Sequence, residues 1–300
     1  MMSGSATSGS VTSLREAVRD AVRTLADAGI ESAECDAVAL AAHALRTSPG
    51  EVRKLMITGA PVPDGLDELV AERARRVPLQ HLTGKAGFRR LDLSVGPGVF
   101  VPRFETELVA GLAIDHLLRH SLGGGPVPAT PVVVDLCTGS GAIALAIKDE
   151  VPAAEVHGVE LSDLAHAWAI RNRDDLGLDV DIRLGDATLA FPELESRVDV
   201  VVSNPPYIPV GAVPNDPEVR DHDPEVALFG GSSDGLRIPL EVAARASILL
   251  RSGGFFVMEH ADVQGGSLPT ALRATGMWQD IEDHEDLNGR PRAVTAVRAH

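Results

Sequence analysis

From residue 131 onward the hydrophobic pattern changes period every few residues, strand-like runs alternating with helical ones. Apolar runs at 132–136, 156–160, 180–184, 198–203 and 254–259 have the length and β-branched content of buried strands. Segments 142–149, 163–175, 240–250 and 268–275 carry helical spacing instead. Segments 278–281 and 293–298 read as a closing hairpin. The alternation predicts an α/β fold with a mostly parallel, doubly wound, Rossmann-like sheet. Such sheets bind ligands beyond the carboxyl ends of their strands, so the residues just after each strand are the candidate site.

The preceding region has a different rhythm. Leu14, Ala17, Val18, Ala21, Val22 and Leu25 recur at helical spacing, with Gly29 as a stop. A second helix is expected over 35–45, ended by Ser48-Pro49-Gly50, and a short third over 51–56. A fourth is expected over 64–76, with Asp64 as N-cap and Pro78 just beyond. Residues 13–78 therefore read as a small helical bundle, either a docking module or a structural cap. Residues 1–12, rich in Ser, Gly and Thr, read as a disordered tail. Residues 79–104 read as a β-hairpin linker, because 88–95 alternates between flanking glycines. Residues 105–300 form the α/β domain, which opens with a helix over 105–120.

At 300 residues, 44% hydrophobic and 23% charged, the chain can bury a core without disulfides or metals. Cys35 and Cys137 stand alone, which argues against a disulfide framework or a cysteine-rich zinc site. Lys+Arg 27 against Asp+Glu 43 gives a net charge of −16, unsuited to gripping nucleic-acid phosphates over a broad face. No run approaches the roughly 18 to 20 apolar residues of a membrane span, and the N-terminus lacks the layout of a secretory signal. The expected location is the cytoplasm.

The first strand end reads Asp135-Leu136-Cys137-Thr138-Gly139-Ser140-Gly141-Ala142. Two glycines let the backbone turn sharply and approach a ligand closely, and the following helix start suits a carboxylate or phosphate. Glu160 closes the next strand, where an acid takes ribose hydroxyls, and Asp186 after the third is placed for an adenine amino group. Gly139-Ser140-Gly141-Ala142-Ile143-Ala144 also fits the dinucleotide pattern G-x-G-x-x-A. The loop alone leaves a nicotinamide oxidoreductase, an S-adenosylmethionine (SAM) enzyme and a tight turn without ligand all open.

The fourth strand ends in Ser203-Asn204-Pro205-Pro206-Tyr207. Consecutive prolines hold the chain in an extended turn and leave carbonyls to face a cleft. Asn204 adds a side-chain carbonyl, and Tyr207, the only tyrosine, a flat face. Methylation of a planar NH2 group needs such a set, because its delocalised lone pair makes it a poor nucleophile that must be aimed. The Asn204 side-chain oxygen and the Pro205 carbonyl would accept its two N–H bonds.

Asn204-Pro205-Pro206-Tyr207 with the 135–141 loop resembles the class I SAM-dependent amino-methyltransferases. Residues 80–88 (QHLTGKAGF) and 101–107 (VPRFETE) further resemble the release factor glutamine methyltransferases, the HemK/PrmC family. So do 221–228 (DHDPEVAL), Gly230-Gly231 with Asp234-Gly235-Leu236, Glu259-His260 before Gln264, and 286–290 (DLNGR). The resemblance spans about residues 13–298. It implies a seven-stranded, mostly parallel sheet, SAM as cofactor, and methyl transfer to the side-chain amide nitrogen (N5) of the glutamine in the Gly-Gly-Gln motif of class 1 peptide chain release factors. It implies that Asn204, Pro205, Pro206 and Tyr207 hold the glutamine and carry catalysis, with Arg103 and Glu105 in the substrate wall. Thr138, Gly139, Ser140 and Gly141 would cradle the methionine end of SAM, Glu160 the ribose and Asp186 the adenine region, with Asn204 beside the cofactor. The helical N-terminal domain would dock the release factor.

Two positions depart from the family: Phe104 stands where Pro is usual, and Cys137 where Gly is common. Cys137 reads as a tolerated small hydrophobe. His81, His222 and His260 show no metal spacing and read as loop residues, and Asp216, Glu218, Asp221 and Asp223 as a solvated acidic loop. The alternatives are a ribosomal-protein glutamine, an adenine or cytosine amine in nucleic acid, a non-catalytic SAM-binding adaptor, and the oxidoreductase. The last would leave Asn204 to Tyr207 without a role.

Overall fold

A computed structural model describes residues 13–123 and 130–300. The tail expected over 1–12 lies outside the described residues. Two compact units emerge. The first runs to Gly84 and takes in Asp216–His222, and the second comprises Lys85–Asn215 and Asp223–His300.

The first unit is helical: α1 (Leu14–Asp27), α2 (Ala33–Leu45), α3 (Pro49–Thr58), α4 (Leu66–Ala74) and the short α5 (Leu79–Thr83). Ser13 caps α1 in a capping box with Glu16. Ser48 does not end α2 as expected; its hydroxyl accepts from the Glu51 amide and starts α3, with Pro49 at the first helical position. Gly65, not Asp64, precedes α4, in a left-handed conformation (φ 82°) that favours glycine. The apolar stripes of α1, α2 and α4 bury Leu14, Val18, Leu25, Leu40 and Leu66 in one core.

A late excursion of the chain, α9 (Pro217–His222), belongs to this unit. It overturns the expectation of a solvated acidic loop at Glu218, while Asp216 and Asp221 are exposed as expected. Glu218 is buried, with ion pairs to Arg73 at 2.7 Å and Arg76 at 2.6 Å, and Arg73 also holds Asp36 at 2.7 Å. Burial alone would raise the Glu218 carboxyl, but hydrogen bonding with Asp216, Arg73 and Arg76 overrides it and holds the group at about 2. The folded-state value lies below the ordinary 4.5, so this stabilisation is present above 4.5 and lost as pH falls towards about 2.

The second unit begins with the hairpin β1 (Lys85–Phe88) and β2 (Leu91–Ser94), paired antiparallel around a turn at Arg89-Arg90. The following helix, α6, spans Phe104–Gly123. Strands and helices then alternate as β3 (Val132–Leu136), α7 (Ala142–Glu150), β4 (Glu155–Glu160), α8 (Asp163–Leu176), β5 (Val180–Leu184) and β6 (Val198–Ser203). After α9 come α10 (Arg237–Leu249), β7 (Leu250–Glu259), α11 (Ser267–Thr275), β8 (Trp278–Glu285) and β9 (Pro291–Arg298). The sheet order is β5-β4-β3-β6-β7-β9-β8, parallel except at β9 and its two neighbours. Side-chain alternation sends Val133, Val200 and Val202 towards α6 and α7, and Val134, Leu136 and Val201 towards α10 and α11. The sheet is thus buried on both faces, as a parallel sheet requires.

Glu218→Gln leaves two arginines without their shared charge partner. It should lower stability by about 3 kcal/mol, read as a lower urea midpoint at pH 7. An unchanged midpoint would show that the ion pairs contribute nothing net.

Candidate active site

After β3 the chain steps outwards through β4 and β5, then returns to β6 on the other flank of β3. Leu136 and Ser203 are register partners, and the Ser203 hydroxyl donates to the Leu136 carbonyl at 2.6 Å. The loops that follow, 137–141 and 204–207, therefore leave the sheet side by side at the switch point, where such sheets open a crevice.

The first loop is locked by carboxylates. The Gly139 amide donates to Glu160 Oε2 at 2.8 Å, and the Ser162 amide to Glu160 Oε1 at 2.8 Å. Asp135 Oδ2 accepts from the Thr138 hydroxyl at 2.5 Å and the Ala144 amide at 3.2 Å. The Thr138 amide donates to Val159, and the Gly141 amide to Thr138. Asn172 donates to the Ser140 carbonyl at 2.9 Å. A Cβ at Gly141 (φ 85°) would meet Leu145 at 2.9 Å, so glycine is required there. Cys137 holds a left-handed φ of 68°, a region that favours glycine. Burial, with Glu160 and Asp135 nearby, pushes its thiol well above the ordinary range.

This environment discriminates between ligands. A pyrophosphate needs free loop amides, but the Gly139 and Ala144 amides already serve carboxylates. The field of Asp135, Glu160 and Asp186 bears on the turn at Cys137 and suits a cation such as a sulfonium. Space is open beside Gly139, where an added Cβ would touch nothing within 4 Å. Each Glu160 oxygen retains a lone pair for a ribose hydroxyl. SAM fits these residues. Asp186 is exposed and its Oδ1 accepts from the amide and hydroxyl of Thr188, so its other oxygen is the one free to reach a ligand.

The second loop is braced from below. Pro205 and Pro206 are buried, Asn204 and Tyr207 half-buried. Asn204 Nδ2 donates to Thr106 Oγ1 at 3.2 Å. The Tyr207 hydroxyl donates to Glu259 Oε1 at 3.0 Å. Gln264 Nε2 donates to the carbonyls of Tyr207 (2.9 Å) and Asp234 (2.8 Å). Gly235 (φ 73°) packs so closely that a Cβ would lie 2.1 Å from the Tyr207 oxygen. Burial raises the Tyr207 phenol well above its ordinary value, and Glu259 raises it further. Burial also lifts the Glu259 carboxyl to about 6, against the hydrogen bonds of Thr106 and Tyr207.

Glu105 faces this cluster, raising both Tyr207 and Glu259. Arg103 turns instead onto buried Asp223 at 3.0 Å and packs over Phe100. Asp223, like Glu218, is thus no part of a solvated loop. Phe104 is 85% exposed at the first residue of α6. His260 lies in the loop just past β7, as expected, but is fully buried and pairs with Asp283 at 2.9 Å, whereas His81 and His222, expected in loops, sit in α5 and α9. No cluster of metal-ligating residues occurs among the described residues, and no described helix is long and apolar enough to cross a membrane.

Sequence reasoning quoted Thr106, Glu259 and Gln264 only as letters of a resemblance and gave them no task. The available signal was chemical: an acid ending a strand beside the one that carries Asn204.

Sheet order, carboxylate-locked glycine loop and Asn-Pro-Pro-Tyr turn together define a class I SAM-dependent methyltransferase. The methyltransferase small domain model matches residues 116–214, and the PrmC N-terminal domain model residues 16–84. A release factor glutamine methyltransferase of Streptomyces coelicolor is 50% identical over 94% of this chain and 97% of its own length. One of Mycolicibacterium smegmatis is 45% identical over 96% and 99%. A 4-amino-L-phenylalanine/4-methylamino-L-phenylalanine methyltransferase of Streptomyces pristinaespiralis is 39% identical over 96% of both chains. The chain belongs to the release factor glutamine methyltransferase family.

Asp135 carries a pH signature. Burial raises its carboxyl from 3.8 to about 7 against the Thr138 and Ala144 hydrogen bonds. Between these values the folded state holds a proton that the unfolded state has lost, so stability falls as pH rises through the window. Asp135→Asn should flatten that slope in urea titrations of the ligand-free protein; an unaltered slope would assign it to other groups.

Proposed function

We propose that this enzyme transfers a methyl group from SAM to the side-chain amide nitrogen of the glutamine in the Gly-Gly-Gln motif of class 1 release factors. The observation that carries the reading is the Asn204-Pro205-Pro206-Tyr207 turn, held beside the glycine loop by the β3–β6 register. Family membership supports the release factor as substrate.

SAM supplies an electrophilic methyl on a cationic sulfur. The protein supplies aim. Asn204 Oδ1 and the Pro205 carbonyl accept the two N–H bonds of the glutamine amide, and the Tyr207 ring packs on its plane. The nitrogen is thereby directed at the methyl along its lone pair, and this orientation is the main catalytic contribution. Glu160 takes the ribose hydroxyls, Thr138 to Gly141 the methionine end, and Asp186 the adenine edge. Glu105 lines the substrate side, and Arg103 supports it through Asp223. No strong base is needed, because the amide proton becomes acidic once the nitrogen is alkylated.

We assign release factor docking to the helical unit, which the match to the PrmC N-terminal domain model supports. The net charge of −16 weighs against a nucleic-acid substrate. A substrate of the translation machinery places the enzyme in the cytoplasm.

The test is transfer of labelled methyl from SAM to purified release factor and to its Gly-Gly-Ala variant, with peptide mapping. Label on that glutamine, absent from the variant, is expected. Label on a ribosomal protein, or on a free aromatic amine, would redirect the substrate assignment. Asn204→Ala should reduce turnover at least about 100-fold while SAM binding stays within about tenfold. Wild-type turnover would remove Asn204 from the mechanism.

A further inference from the structure

Holding an amide NH2 requires that Asn204 present its oxygen, not its nitrogen, to the substrate, since both substrate N–H groups are donors. The two ends of an asparagine amide are nearly identical in size, so packing alone does not choose between them. A hydrogen-bond partner of fixed polarity has to. Asn204 Nδ2 lies 3.2 Å from Thr106 Oγ1. A hydroxyl has one proton to give and can also accept, so the direction of this bond depends on where the Thr106 proton goes.

Thr106 is buried in the first turn of α6, and its hydroxyl lies against the buried carboxylate of Glu259. Glu259 Oε1 is occupied by the Tyr207 hydroxyl, and the buried Oε2 has no hydrogen-bond partner. An ionised carboxylate only accepts. The unsatisfied Oε2 is the acceptor open to the Thr106 proton, and with the proton turned there the oxygen facing Asn204 can only accept. That polarity fits Nδ2 and excludes Oδ1, which would leave two lone pairs in opposition.

We propose that Glu259 is a positioning residue which, through the Thr106 hydroxyl, fixes the Asn204 side-chain amide with its oxygen towards the substrate nitrogen. The same carboxylate anchors the Tyr207 hydroxyl, so one group orients both ends of the Asn-Pro-Pro-Tyr turn. The proposal rests on the reading of Asn204 as an acceptor for a substrate amine. It predicts a pH dependence, because a protonated Glu259 becomes a donor and releases the polarity of the relay. The groups facing Glu259 are Tyr207 after β6, Thr106 and Glu105 on α6, and Arg292 on β9. Burial dominates this set and puts the transition at about 6.

The first test is kinetic, at saturating SAM with release factor as substrate. Thr106→Val should lower kcat about 10- to 100-fold, with SAM affinity within about twofold of wild type. Thr106→Ser keeps the hydroxyl and should recover most of the loss. Wild-type kcat should fall below about pH 6, and Glu259→Gln should lose both activity and that acid limb. Thr106→Val turning over like wild type, or Ser failing where Val fails, would overturn the proposal.

The second test needs no substrate. With 15N-labelled asparagine, the Asn204 side-chain amide signal, identified by its loss in Asn204→Asp, should move with pH around 6 in the wild type. It should stay still in Thr106→Val and Glu259→Gln. Movement in the wild type without methylation of release factor would leave the relay standing and sink the substrate assignment. Methylation of release factor with a signal blind to pH and to both substitutions would do the reverse.

Discussion

Parallel pairing of β3 with β6 is the constraint from which the site follows. With Leu136 opposite Ser203, the backbone of both strands ends at the same height. The glycine loop and the Asn-Pro-Pro-Tyr turn then emerge as neighbours, although they lie more than sixty positions apart in the chain. A register shift of one residue would turn every strand side chain to the opposite face, and the buried valines on both faces forbid it. The hydrophobic core thus sets the distance between donor and acceptor sites.

The two loops are held by different means, each suited to its ligand. The glycine loop is tied by carboxylates to two of its amides, those of Gly139 and Ala144, which places negative charge beside it. The Asn-Pro-Pro-Tyr turn is tied by two uncharged partners, Thr106 as acceptor and Gln264 as donor, and by one buried acid, Glu259, lifted towards neutrality by its surroundings. A cationic cofactor and a neutral amide substrate call for this division. In the proposed reaction rigidity matters more than chemical reactivity, because the contribution assigned to the turn is orientation.

The helical unit shows the same economy in a different place. Its core is an ordinary amphipathic bundle, but α9 joins it from far along the chain through the buried Glu218 and its two arginines. Buried ion pairs of this type add little net stability over apolar packing yet are costly to break, which makes them suited to fixing where a segment sits.

The α/β class, the strands β3 to β6 and both candidate ligand loops were legible in the sequence. They rest on local periodicity and on residues whose backbone preferences act at short range: Gly139 and Gly141, Pro205 and Pro206. Short-range rules also misled, as at Ser48, where a serine before Pro-Gly marks a helix start as well as a helix end. Other features needed the folded chain. Thr106 meets Asn204 across 98 positions, Glu259 meets Tyr207 across 52, and Glu218 meets Arg73 across 145. A single buried acid or hydroxyl leaves no periodic trace, so only tertiary contact reveals what it serves. The sequence by itself determined the fold class and the two loops proposed to hold the ligands. The tertiary structure decided which way their residues face, because orientation is set by partners that only packing brings together.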